Sequence, residues 1–240
     1  MKLTFLGTRG NIDACSPIHR RHTALLVSYH GRDVMIDCGS DWRGRLDEIA
    51  PRAVVVTHAH PDHALGLKDG TRCPVLATAE AWQEMAAWPI AHRRVVQPRR
   101  PVAIEGITFE AFPVEHSLHA PAVGYRVRAG RVGIFYGPDV VFIREREAAL
   151  SGLRLFIGDG ATLTRPLIRR RGEHLISHTP VRTQLTWCGE AGIRRAIITH
   201  CGSEIVTTDA AGIAAQVSAM GEQRGVEASV AHDGMTLVLR

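Results

Sequence analysis

The chain has 240 residues, 45% of them hydrophobic, with a formal net charge of +5 and a pI near 9.3. That apolar share is enough for a buried core, while the lack of any run of 18 apolar residues excludes a membrane-spanning helix. Five cysteines without a CxxC pair argue against both a disulfide framework and a zinc knuckle.

The start, Met1-Lys2-Leu3-Thr4-Phe5-Leu6-Gly7, is too short and too soon broken by Gly7 for a secretion signal, and the odd, unpaired cysteines make a reducing cytoplasm the expected compartment. Short β-branched runs at residues 3–6, 24–28 and 34–37 predict strands, separated by turns at residues 7–10 and 30–33. Residues 53–57 form a continuous apolar run of the kind buried on both faces of a sheet. A helix is predicted over 80–87, then antiparallel strands at 107–114, 123–128 and 133–136 and a strand at 153–157. Thr179 is placed as N-cap and Pro180 in the first turn of a helix reaching Glu190. A buried strand at 196–199, a helix at 210–220 and a last strand at 236–239 follow. The pattern predicts two sheets packed face to face under helices, as one domain over residues 1–240.

The chemistry concentrates in His58-Ala59-His60-Pro61-Asp62-His63, directly after the strand at 53–57. Pro61 is expected to end regular structure there and leave the four side chains on a tight turn. Three imidazoles and a carboxylate make a poor core but a good ligand set for zinc, manganese or iron. A two-metal site needs further donors from other strand ends. His116, Asp139 and His200 each follow an apolar strand, and His119 competes with His116. His178 precedes a helix whose N–H groups could hold an anion, and it could protonate a leaving group. The basic run from Arg165 to Arg171 reads as a solvated loop, with a phosphate-facing loop as the sharper alternative. Arg20 and Arg21 could also meet an anionic substrate. Cys38 and Cys201 read as small buried fillers.

In this order, Asp37 (within Met35-Ile36-Asp37-Cys38-Gly39), the segment from Thr57 to His63, His116, Asp139 and His200 resemble the metallo-β-lactamase superfamily over nearly the whole chain. The resemblance implies an α/β fold, a four-layer αββα sandwich with two divalent metal ions. One ion would take His58, His60 and His116, and the other Asp62, His63 and His200. Asp139 would bridge them, and Asp37 would brace the metal loop. Phe156-Ile157-Gly158-Asp159-Gly160-Ala161-Thr162 resembles the His-Glu-Ala-Thr segment of ribonuclease Z, with Gly158 and Asp159 in place of His and Glu. Ser177-His178-Thr179 resembles that family's His ahead of its last ligand. By this resemblance Asp159 orients His178, which assists at the phosphate, and Asp62 orients the attacking water. Only 22 residues lie between His116 and Asp139, too few for the arm that ribonuclease Z uses on transfer RNA. The chain is therefore more similar to the small phosphodiesterases that open cyclic ribose phosphates. The expected partner is a small anionic phosphodiester; nucleic acid is admitted but not favoured, no membrane is expected, and a homodimer is allowed. Hydrolysis of a lactone, thioester or β-lactam is the competing reading, and a non-catalytic scaffold a third.

Overall fold

The computed structural model describes residues Met1–Arg240. One sheet runs, in spatial order, Thr236–Val238, Lys2–Gly7, Ala24–Tyr29, Arg32–Ile36, Ala53–Val55, Val75–Ala77 and Arg93–Val95. The other runs Phe142–Ile143, Ile107–Glu115, Ala122–Ala129, Val132–Tyr136, Leu155–Asp159, Arg195–Thr199 and Glu227–Val230, with Val102–Ile104 paired to Ile107–Glu115. No helix is long and apolar enough to cross a membrane.

Strand alternation sorts the core into three slabs. Phe5, Val27, Ile36 and Val55 from the first sheet meet Phe109, Tyr125, Ile134, Tyr136 and Ile157 from the second. The neighbours of those residues along each strand point the other way, as the period of two requires. Phe135 and Phe156 lie with Leu185, Trp187, Val217 and Met220 beneath the helices Val181–Glu190 and Ala210–Glu222. Met35 and Val54 lie with Trp42, Trp82 and Met85 on the opposite outer face. The result is the expected αββα sandwich. Residues 53–56 contribute alternately to two slabs, which explains why that run is apolar throughout.

The parallel pairings place strand carboxyl ends along one rim. Arg32–Ile36 pairs with Ala53–Val55, Val132–Tyr136 with Leu155–Asp159, and the latter with Arg195–Thr199. Ligand sites collect at such ends because the loops that leave them converge.

Four local expectations are corrected. Pro61 does not end regular structure: it is the first residue of the short helix Pro61–Ala64, where its missing N–H costs nothing. The later helix begins one residue beyond expectation: Pro180 is the N-cap, and Thr179 makes no side-chain cap. The basic run is not a plain loop, because Arg169–Arg171 pairs with His174–Ile176 as a hairpin turning at Gly172, whose φ is +60°. The predicted helix at 80–87 is shorter, Ala79–Glu84, and is capped by the Thr78 hydroxyl.

Candidate metal centre

Every residue expected at the site lies on the convergent rim. His58 and His60 leave the strand Ala53–Val55, and Asp62 and His63 sit on the helix that Pro61 starts. His116 follows Ile107–Glu115, Asp139 follows Val132–Tyr136, and His200 follows Arg195–Thr199. Asp159 is the last residue of Leu155–Asp159.

The side chains fall into two donor groups that share one carboxylate. His58 Nε2 is 2.9 Å from His60 Nδ1, which is 3.3 Å from His116 Nε2. In the second group, Asp62 Oδ2 is 3.1 Å from His63 Nε2 and 3.2 Å from His200 Nε2. Asp139 Oδ2 lies 3.6 Å from His58 Nε2, 2.6 Å from His63 Nε2 and 3.4 Å from His200 Nε2. It is therefore placed between the groups. His119, the competitor of His116, is exposed and belongs to neither.

Hydrogen bonds behind these residues set which ring nitrogen faces inward. His116 Nδ1 donates to the Ser177 carbonyl at 3.1 Å, leaving the Nε2 lone pair for the site. His63 Nδ1 donates to Asp37 at 2.9 Å. The Thr57 hydroxyl also donates to Asp37, so His58 Nδ1 donates to Thr57 Oγ1 at 3.1 Å. Asp37, fully buried, thus orients His58 through Thr57 and His63 directly. Burial, and then the neighbouring His116, push the His60 pKa down to about 4; burial also lowers His58 and His116. All three are neutral bases near pH 7. Burial works against a charged His200 too, but Asp139, Asp159 and Asp62 outweigh it and raise its pKa to about 10. His63 is held well above its ordinary value in the same way by Asp62, Asp139 and Asp37.

This donor set fits divalent cations. His63 Nε2, Asp62 Oδ1 and Asp139 Oδ2 are buried without an aligned hydrogen-bond partner. Carboxylate and imidazole atoms crowded this closely are tolerable only with positive charge among them.

His178 stands at the edge of the second group. Its Nδ1 is 2.7 Å from Asp159 Oδ2 and 3.3 Å from Asp139 Oδ1, which leaves Nε2 free. Burial opposes its proton, but the Asp159 carboxylate wins and raises the pKa above its ordinary value. Asp159 also accepts N–H groups from Val140 and Ala161, and its Oδ1 lies 3.6 Å from His200 Nδ1. The expected anion site at the following helix is not formed. The N–H groups of Val181 and Arg182 donate to the carbonyls of Thr162 and Leu163, so they are not free for a ligand.

Several supporting residues escaped the sequence reading. Gln184 accepts the Asp159 N–H at 2.8 Å and donates to the Asp159 carbonyl at 2.7 Å. A Cβ on Gly158 would lie 2.3 Å from Gln184 Oε1, which is why glycine precedes Asp159 here. Gly10 packs on the His200 ring, and Ser177, at φ +85°, bends the chain so that His116 and His178 face one another. Gln184 belongs to no motif or period that sets it apart in the sequence, and backbone carbonyl acceptors such as that of Ser177 leave no trace in the side-chain pattern. Cys38 and Cys201 are fully buried, and burial pushes both thiols far up, consistent with fillers.

Comparisons with known proteins give the family. Residues 32–201 match the family described as Beta-lactamase superfamily domain. A ribonuclease Z of Methanopyrus kandleri is 29% identical over 185 residues, covering 68% of this chain and 63% of that relative. The chain thus spans less than two thirds of that relative's length. Among solved structures, the metallo-beta-lactamase fold protein YhfI from Bacillus subtilis has a TM-score of 0.71 at 16% identity, covering 98% of both chains. A diphosphatase from the PhnP family has a TM-score of 0.70 at 20% identity, covering 98% of this chain and 96% of its own. With a family match across most of its length, an αββα sandwich and two His/Asp donor groups on the expected rim, the chain belongs to the beta-lactamase superfamily domain family.

Proposed function

We propose that this protein is a metal-dependent hydrolase of phosphodiesters, acting on a small or nucleotide-like substrate. The observation that carries the reading is the His178–Asp159 pair, 2.7 Å apart beside a two-group donor set. His58, His60 and His116 would hold one divalent ion, and Asp62, His63 and His200 the other, with Asp139 shared and Asp37 bracing. Zinc or manganese suits the imidazole and carboxylate donors, and iron is compatible. Such ions, when bound, supply Lewis-acid charge to phosphoryl oxygens and lower the pKa of water.

The protein's own groups complete the reaction. Asp62 Oδ1, which has no partner in the fold, accepts a hydrogen from the attacking water and orients it. The water oxygen bonds to phosphorus and releases one proton to solvent, and the bond to the leaving oxygen breaks with its electron pair on that oxygen. His178, whose protonated form the Asp159 carboxylate favours, gives that oxygen its proton through Nε2 while Asp159 holds Nδ1. A lactone, thioester or β-lactam would leave this pair without a task. The ribonuclease Z relative and the diphosphatase neighbour support the phosphoester reading.

The test is metal analysis of the purified protein together with a screen against bis-p-nitrophenyl phosphate and a panel of lactones. Bound divalent metal and chelator-sensitive hydrolysis of the diester are expected. Less than one metal per chain, with no activity after metal addition, would overturn the reading; preference for lactones would replace it.

A further inference from the structure

The rim is not flanked by one cavity but by two, each opening on a different donor group. A cavity of about 520 Å³ is lined by His178 and His200, with Gly10, Asn11 and Arg165 around it. A second, of about 300 Å³, is lined by His60 and His116, with His119 and Arg171. The Ser177-His178 segment divides them: Ser177 lines the smaller cavity and His178 the larger. Ser177 is tied to His116 by two hydrogen bonds, its N–H donating to the His116 carbonyl at 2.8 Å and its own carbonyl receiving His116 Nδ1. The divider is therefore anchored to the donor set. The hairpin formed by Arg169–Arg171 and His174–Ile176 leads into this divider, and the basic run ahead of it supplies one arginine to each cavity.

Both arginines are exposed, and neither forms an ion pair, unlike Arg43, Arg99, Arg144 and Arg146, which face carboxylates. The one carboxylate lining the larger cavity, Glu204, is engaged by the Leu163 N–H. An unpaired guanidinium beside a cavity presents a planar fork of donors matched to phosphate. Resting on the phosphodiesterase reading above, we propose that Arg165 and Arg171 are specificity-determining residues for a linear phosphodiester carrying a further anionic group on each side of the scissile phosphorus. The leaving fragment lies in the larger cavity, where His178 is the proton donor, and its extra anion meets Arg165. The other fragment lies beside His60 and His116, and its extra anion meets Arg171. A cyclic phosphate, or a diester with neutral flanks, fills the centre and leaves both arginines idle.

The probes are dithymidine monophosphate, its 5′-phosphorylated form and its 3′-phosphorylated form. Hydrolysis is followed with the metal-loaded enzyme, and binding is followed by calorimetry with chelator-treated protein. A terminal phosphate at either end should strengthen binding and raise kcat/KM by about tenfold, the scale of one charge-assisted arginine contact. Each gain should shrink as salt is raised. Arg165→Ala should abolish the gain from the phosphate on the leaving fragment, which product analysis identifies, and keep the gain at the other end. Arg171→Ala should do the reverse. Each variant's own behaviour towards the unphosphorylated dinucleotide is its reference, so a folding defect cannot mimic the result. Terminal phosphates that bring no gain, or gains that survive both substitutions or fall together in either one, overturn the proposal. Arginine-dependent binding without hydrolysis would sustain the two-sided cleft and sink the phosphodiesterase reading instead.

Discussion

His178 owes its proposed role to a carboxylate that contributes to two residues at once. Asp159 holds His178 Nδ1 at 2.7 Å and lies 3.6 Å from His200 Nδ1, so its charge acts on both rings while its hydrogen bond orients His178. His178→Ala should keep its metals and lose about 10²- to 10⁴-fold in kcat on a diester with an alcohol leaving group. The loss should be much smaller for p-nitrophenolate, which leaves without needing a proton. The sign with pH follows from the raised pKa. The acting form is the imidazolium, present below that pKa, so turnover of the alcohol-leaving diester should fall on the alkaline side, and that fall should vanish in the variant. Equal losses for both leaving groups would remove His178 from proton donation. Asp37 is the contrasting case. It accepts from Thr57 and His63 but touches no substrate space, so Asp37→Asn should weaken metal affinity by about 10- to 100-fold. Activity at saturating metal should fall far less, as a metal titration monitored by both binding and rate will show.

At the scale of elements, the site depends on how closely the loops pack. The metal loop lies directly on Gly39: a Cβ there would be 2.0 Å from the Asp62 carbonyl and 2.9 Å from the His22 side chain. The constraint is close approach, not an unusual dihedral, since Gly39 has φ −69°. Gly39→Ala must push the helix Pro61–Ala64 outward. It should cost about 1–3 kcal/mol in a denaturant titration and lower metal content as well. Wild-type stability and metal content would show that the loop yields without consequence. The same packing explains what could be read in advance and what could not. The run from His58 to His63 was legible because several donors fall within one loop, and the alternating and continuous apolar runs gave the strands of both sheets. Short edge elements such as Arg93–Val95 and Phe142–Ile143 were not, since two or three residues carry no period. The start of Val181–Glu190 was misplaced because Thr-Pro is a strong local cap signal, yet here Pro180 is the N-cap and the first N–H groups go to Thr162 and Leu163. That tertiary partner lies about twenty residues away in sequence, outside any local rule.

For the molecule as a whole, two sheets are held at one rim by groups that would repel each other if left uncompensated. Asp37, Asp62, Asp139 and Asp159 are all buried there. Without metal, protons on His63 and His200 supply the compensating charge. Both groups have folded-state pKa values above the unfolded value near 6.5. Their stabilisation is complete below that unfolded value and is lost as pH rises through the folded one, about 10 for His200. Bound cations would replace those protons and compete with them, so raising the pH both frees the ligands and removes the apo protein's own compensation. The difference in Tm between metal-loaded and chelator-treated protein should therefore widen steadily from pH 6 to pH 9. At any one pH it should grow with free metal, because a ligand that binds only the folded state stabilises it by mass action, about 4 kcal/mol at a thousandfold excess over Kd. A gap that narrowed with pH would mean that the buried carboxylates are neutralised by something other than the histidine protons, and the cation-binding role of this rim would have to be abandoned.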